Sequence, residues 1–159
     1  MVDLPQISVS TDRSDELCFG CGQKNPVGLK MTFTWDGKVA RSEFTPGRLY
    51  QGYPEIVHGG ILCCALDDAM NHAAYFAGMD CLTIEMVVKF RRPARVEEPL
   101  VATAWVVGHE RRSKRNKRLL DTEGRVTLPD GTLVAEGKAS WFVVDKDNSQ
   151  EKESAGNAG

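Results

Sequence analysis

The sequence predicts an α+β domain in which one long, mostly covered helix lies against a curved antiparallel sheet. Three observations carry that prediction. Only one segment, about Gly60 to Ala77, repeats its apolar residues at helical spacing. Strand-like segments flank it, two before and four after. The later strands are joined by turns alone, which leaves no room for the crossover helices that a parallel sheet needs. A single helix packed on an antiparallel sheet satisfies this order with one core.

The elements follow in chain order. Leu29 to Phe33 alternates apolar and polar residues, Trp35 to Lys38 supplies a turn, and Val39 to Phe44 returns as a second strand. Pro46 to Pro54 holds two glycines and two tyrosines and reads as a loop approaching the next element. In the helix, Ile61, Leu62, Ala65, Leu66, Ala69, Ala73, Phe76 and Ala77 recur at three- and four-residue spacing, and Gly78 stops it. In Leu82 to Phe90, strict alternation puts Leu82, Ile84, Met86, Val88 and Phe90 on one face. Thr83, Glu85, Val87 and Lys89 then share the other. Val101 to Val107 is apolar enough to be covered on both sides. Arg115 to Leu128 is a long mixed strand ended by Pro129-Asp130-Gly131, and Leu133 to Val144 is the last strand.

The 159 residues suit one domain, read here as an N-terminal arm (1–17), a folded domain (18–144) and a polar tail (145–159). A small sheet-rich domain of this size gains by pairing with a copy of itself. No apolar run reaches the roughly 20 residues of a membrane span, and the N-terminus lacks the pattern of a secretory signal. Five cysteines, an odd number with two adjacent in the helix, argue against a disulfide scaffold and for a reducing, cytoplasmic setting. Net charge is −2, unevenly spread: His109 to Arg118 carries +5 and the remainder −7. That balance opposes a general nucleic-acid binder while leaving one place for a polyanion.

Several residues carry chemistry, each with a plainer reading beside it. His58-Gly59-Gly60 opens the helix, where free amides stabilise negative oxygen and glycines let a ligand approach; a simple loop-to-helix junction uses the same residues. Asp67 and Asp68 are costly in an apolar helix unless paired or useful, one as an acid–base group and one structural, or both along a wet seam. Thr83 opens the next strand with a hydroxyl able to position a nucleophile, although threonine is ordinary in strands. Cys18-Phe-Gly-Cys21 has metal-like spacing, yet no second such pair supplies four ligands, and a structural turn is the reading adopted, with no metal or cofactor expected. Arg111, Arg112, Lys114, Arg115, Lys117 and Arg118 either hold phosphates or protect a sheet edge. RNA binding is disfavoured because no aromatic platform interleaves these charges.

Taken together, CFGCGQKNPVGL (Cys18 to Leu29), YQGYPEIVHGGILCCALDDAMNHAAY (Tyr50 to Tyr75), LTIEMVVKFRRP (Leu82 to Pro93) and LPDGTLVAEGKASWFVV resemble the hotdog-fold acyl-CoA thioesterases of the PaaI-like group. The resemblance spans Cys18 to Val144. It implies a central helix wrapped by an antiparallel sheet and a homodimer, in many members a dimer of dimers, with active sites at the subunit interface. It implies that the Gly60 amide polarises the thioester carbonyl, with Gly59 beside it and His58 shaping the turn. It places the catalytic acid at Asp67 and the orienting hydroxyl at Thr83, across the interface. Water attack or a mixed anhydride with Asp67 are both compatible with this pattern. Coenzyme A phosphates gain candidate partners in Arg111, Arg112 and Arg115, and in Arg91, Arg92 and Arg95. The expected activity is hydrolysis of an acyl-CoA to free acid and coenzyme A, the alternative being a non-catalytic acyl-CoA-binding module. Similar chains often have glycine where Glu55 and Glu97 stand.

Overall fold

The computed structural model describes residues 9–115 and 117–145. The start of the expected arm and the tail beyond Asp145 lie outside the described residues. The elements are β1 (Thr34–Trp35), β2 (Val39–Phe44), a short 3-10 turn (Arg48–Tyr50), α1 (Gly59–Phe76), β3 (Asp80–Phe90), β4 (Leu100–Arg112), β5 (Arg118–Thr127) and β6 (Leu133–Val144). All six strands form one sheet in the order β1-β2-β4-β5-β6-β3, every pairing antiparallel. This is the expected architecture of one helix on an antiparallel sheet. The helix touches five of the strands, β2 to β6.

The helix lies close because the sheet is hollowed beneath it. Gly124 on β5 pairs with Gly137 on β6. A Cβ on Gly124 would meet Met70 at 3.0 Å, and one on Gly137 would meet Met70 and Leu66 at 3.4 and 3.5 Å. Leu66 and Met70 are therefore fully buried, each worth about 2–3 kcal/mol of transfer free energy. Leu100, Ala102 and Ala104 of β4 and Leu120 and Val126 of β5 complete this layer. Buried Trp141 donates its indole N–H to Thr122 Oγ1 at 2.7 Å, so its polar edge is satisfied inside the core.

Four local expectations need correction. Leu29 to Phe33 is not a sheet strand: Leu29 and Met31 donate their amides to Phe19 and Gly20 instead, and Lys30 turns the chain with φ +52°. Strict alternation in β3 fails because a bulge falls between Thr83 and Glu85. An extra residue reverses the facing of everything before it. Cys81 and Thr83 thus face the helix, then Met86 and Val88 do, while Ile84 is about half exposed. The basic window sits at a strand junction as expected, but the strand bounds around it shift from Val107 and Arg115. β4 runs on to Arg112 and β5 begins at Arg118, the turn closed by Ser113 and Lys117. Finally, Arg13 of the expected loose arm is held on the helix, donating to Asn71 Oδ1 and lying 4.4 Å over the Tyr75 ring.

Glu55 and Glu97 both have φ +64°. That is the left-handed region that glycine occupies without a steric cost, in keeping with the glycines that the PaaI-like resemblance implies at these positions.

Candidate active site

The helix opens at His58, whose extended backbone (φ −59°, ψ 135°) makes it the N-cap. Its Nδ1 accepts the Gly60 N–H at 2.8 Å, satisfying one of the helix's orphan donors. The Gly59 N–H has no hydrogen-bond partner among the described residues. Gly59 lines a cleft of about 790 Å³ together with Tyr53, His58, Phe90, Arg91 and Arg92 among others. Arg91 is paired with Glu136 at 2.6 Å. Arg92 has no ion pair among the described residues. A helix N-terminus beside a cation is electrostatically suited to an anion or a developing negative oxygen.

Asp67 and Asp68 are neighbours in sequence and opposites in environment, because consecutive helical residues point about 100° apart. Asp67 Oδ1 accepts the Thr83 hydroxyl at 2.8 Å. Burial pushes its carboxyl above the ordinary range, and the Thr83 hydrogen bond partly opposes this. The pair lies within one chain, so Thr83 is not across an interface from Asp67. The bulge after Thr83 is the reason, since it turns the hydroxyl toward the helix beside which β3 runs.

Asp68 turns the other way, toward the N-terminal segment. Cys18 Sγ lies 3.6 Å from its Oδ1, and its Oδ2 is buried without a hydrogen-bond partner. Burial raises the Asp68 carboxyl to about 7. Cys18 and Cys21 share a sulfur hydrogen bond that lowers the Cys18 thiol and raises that of Cys21. One turn on, His72 Nδ1–H donates to the Asp68 carbonyl at 2.9 Å, leaving Nε2 to accept from Arg13. The ring stacks on Phe33 with centroids 4.0 Å apart, and burial keeps it neutral.

The remaining candidates divide in two. Gly59, Arg91 and Arg92 share the cleft. Arg111, Arg112 and Arg115 lie at the other end of the sheet. Arg111 pairs with Leu119, Leu119 with Phe142, and Phe142 with Leu82. Arg111 is therefore level with Leu82, nine residues or about 30 Å along β3 from Arg91. Arg111 also forms a two-pronged pair with Asp121, both contacts 3.0 Å, and Arg118 binds Glu110 and Asp145. Arg95 faces Glu55 at 3.5 Å. Two acids from outside the +5 window, Asp121 and Asp145, thus answer part of it.

Distance also separates the two catalytic candidates. Gly59 and Asp67 are eight residues, about 12 Å, apart along the helix. A reacting carbonyl must lie about 3 Å from both its oxyanion donor and its attacking group. The helix start and the Asp67–Thr83 pair of one chain cannot serve the same carbonyl.

Sequence reasoning missed three features here: the capped Gly60 amide, the meeting of Cys18 with Asp68, and the aromatic wall of the cleft. A signal existed only for the second, in the spacing of the cysteines and the second carboxylate of the helix.

Comparison with known proteins adds the following. The family model described as thioesterase superfamily matches residues 55–135, just over half of the chain. Human acyl-coenzyme A thioesterase THEM5 (Homo sapiens) is 26% identical over 98 residues, covering 60% of this chain and 40% of that protein. Among solved structures, thioesterase superfamily protein RHA08564 superposes with a TM-score of 0.67 at 24% identity, covering 77% of this chain and 60% of that one. A hypothetical thioesterase with coenzyme A from Streptococcus pneumoniae TIGR4 gives 0.65 at 14%, covering 73% and 90%. The PaaI protein from the phenylacetic acid degradation operon of E. coli gives 0.64 at 19%, covering 72% and 83%. The structural likenesses concern the fold, and the chain spans well under two thirds of the length of THEM5.

Proposed function

The chain belongs to the thioesterase superfamily, and on that footing we propose that it hydrolyses acyl-coenzyme A thioesters at a site completed by two copies of the chain. The observation that carries this reading is the Asp67–Thr83 hydrogen bond, set about 12 Å from the unpartnered Gly59 amide. Two such chains with antiparallel helices would bring the Asp67–Thr83 pair of one to the helix start of the other.

In this arrangement Asp67 holds a water, or attacks directly, and Thr83 fixes the carboxylate's orientation. With water as nucleophile, Asp67 takes the proton as the new C–O bond forms. The burial that raises its pKa makes it a stronger base than an exposed carboxylate. The partner's Gly59 amide stabilises the oxyanion, joined by the partner's Gly60 amide once its His58 turns aside. The C–S bond then breaks, coenzyme A leaves as the thiolate, and the proton returns to the sulfur. Arg92, with Arg91 beside it, lines the cleft at the helix start and is assigned to a coenzyme A phosphate. The hairpin cations are a second candidate, reaching the substrate from the chain that supplies Asp67.

Two parallels support the assignment. The pneumococcal thioesterase was solved with coenzyme A, and also with an aspartate and, separately, a threonine replaced by alanine. Those two residues are as far apart in its sequence as Asp67 and Thr83 are here, 16 positions. All five cysteines are free thiols and no helix of the described residues is long and apolar enough to cross a membrane, which fits placement in the cytoplasm.

Steady-state hydrolysis of a panel of aliphatic and aromatic acyl-CoAs tests the reading. Turnover is expected for part of the panel, and Asp67→Asn should lower kcat at least about 100-fold with the oligomer intact. Tight binding of the same ligands with no turnover above background would instead make the chain a binding module.

A further inference from the structure

The Cys18–Cys21 turn and Asp68 are not used by the proposed hydrolysis, and we infer that together they bind one zinc ion that staples the N-terminal segment to the central helix. The two sulfurs and a carboxylate oxygen of Asp68 all lie within 4.8 Å of one another. In a tetrahedral zinc site with Zn–S near 2.3 Å and Zn–O near 2.0 Å, ligand atoms stand about 3.5–3.8 Å apart. The Cys18 Sγ to Asp68 Oδ1 distance is already 3.6 Å.

The turn is shaped for that purpose in two independent ways. Its backbone wraps the first sulfur: Cys21 N–H points at Cys18 Sγ at 3.5 Å, and Gly22 N–H closes on the Cys18 carbonyl at 2.8 Å. Amides aimed at a sulfur stabilise a thiolate, the form that ligates metal. Its glycines are obligatory for contact. A Cβ on Gly20 would sit 2.5 Å from Asp68 Cγ, and one on Gly22 would sit 2.3 Å from the Glu16 carbonyl oxygen. Any other residue at position 20 would push the turn off the carboxylate.

Asp68 supplies the reason for a cation. The residue is 9% exposed and its Oδ2 has no hydrogen-bond donor. His72 Nδ1 is 3.7 Å from that oxygen and already bonded to the Asp68 carbonyl at 2.9 Å. An unanswered carboxylate oxygen at this depth is costly, and a divalent ion removes the cost. Two thiolates with one carboxylate select zinc over magnesium or calcium, which take oxygen ligands. Cys18 is exposed, so water has access to the fourth tetrahedral position. His72, bonded to the Asp68 backbone and stacked on Phe33, holds the helix turn that presents the carboxylate.

The staple would fix the helix's rotation directly beside Asp67, with three protein ligands and water in the fourth position. The test uses the full chain, purified under reducing conditions without chelator, and reads zinc content, cobalt spectra and thermal midpoint. About one zinc per chain is expected. Cobalt(II) added to the metal-stripped, reduced chain should give a thiolate-to-cobalt charge-transfer band in the near ultraviolet. Cys18→Ser and Cys21→Ser, made separately and together, should abolish that band and the bound zinc. Asp68→Asn should weaken zinc binding at least about tenfold, as a lost anionic ligand requires. Chelation should lower the thermal midpoint of the parent chain and leave that of the cysteine variants unchanged. Should the double variant fail to fold, the parent's cobalt spectrum and its midpoint with and without chelator decide. Zinc content untouched by the cysteine substitutions overturns the site. So does cobalt binding without a thiolate band in the fully reduced chain, or a chain that takes up no metal.

Discussion

Asp67 and Asp68 show how much one position decides. Their chemistry is the same, yet one meets a hydroxyl and the other a cysteine turn. Thr83→Val, which keeps the shape and removes the hydroxyl, is expected to lower kcat about tenfold with KM nearly unchanged, the value of one charge-assisted hydrogen bond. Steady-state kinetics on a single acyl-CoA checks it. Glu97 offers a stability test at the same scale. It stands at φ +64° with its amide bonded to the Pro46 carbonyl. Glu97→Gly should relieve about 1–2 kcal/mol of left-handed strain against the larger unfolded-state entropy of glycine. A net gain of about 0.5–1 kcal/mol is expected in urea unfolding. At this scale the sequence was informative about identity and poor about direction. The resemblance to the PaaI-like group, and no spacing taken alone, points to Asp67 and marks Glu55 and Glu97 as departures. No local pattern revealed that Thr83 points at the helix, because a one-residue bulge reverses alternation without leaving a signature in residue type.

Among the elements, the helix was legible almost to its ends, since its apolar period is unbroken from Ile61 to Phe76. The final strand was legible to the residue. The β4–β5 hairpin was not, because a run of basic residues carries neither period nor turn signal. Its charge was also misleading when read alone. Arg111 is bound by Asp121, which also accepts from Ser140 at 2.7 Å, and Arg118 is bound by Glu110 and Asp145. The Arg111 hydrogen bond holds the Asp121 carboxyl below its ordinary value. A carboxylate lowered in the folded state contributes stability above its unfolded pKa near 3.9, and that contribution fades as pH falls through the folded value. Asp121→Asn should therefore be less stable than the parent at pH 7 and converge with it at acid pH, once the folded carboxyl is protonated. Both partners are 39–47% exposed, so the difference at pH 7 should stay below about 1 kcal/mol. Urea midpoints at the two pH values check the sign. The two arginine groups separate kinetically as well. Arg91 and Arg92 replaced by alanine should raise KM for an acyl-CoA severalfold more than for a short N-acetylcysteamine thioester. Equal effects on both substrates would remove these cations from the phosphate site. The same comparison with Arg111, Arg112 and Arg115 replaced decides whether the hairpin contributes.

For the whole molecule, the six-stranded sheet with its single helix followed from element order, and the family from the motifs along it. What sequence could not supply was distance. The motif places Gly59, Gly60, Asp67 and Thr83 in one site, whereas a helix rising 1.5 Å per residue sets its start about 12 Å from Asp67. The proposed function resolves the separation by having two chains each contribute half. Mixing two inactive variants measures this directly. Gly59→Pro deletes the unpartnered amide and should leave the fold intact, because proline suits the first helical position and His58 already has the extended backbone that must precede it. Asp67→Asn deletes the carboxylate. Each variant alone should be inactive as a homodimer. Unfolded together and refolded at equal concentration, they should regain about a quarter of the parent rate, since half of the dimers are mixed and each mixed dimer holds one intact site. No recovery, in a mixture shown by mass spectrometry to contain the mixed dimer, would contradict a site shared between two chains.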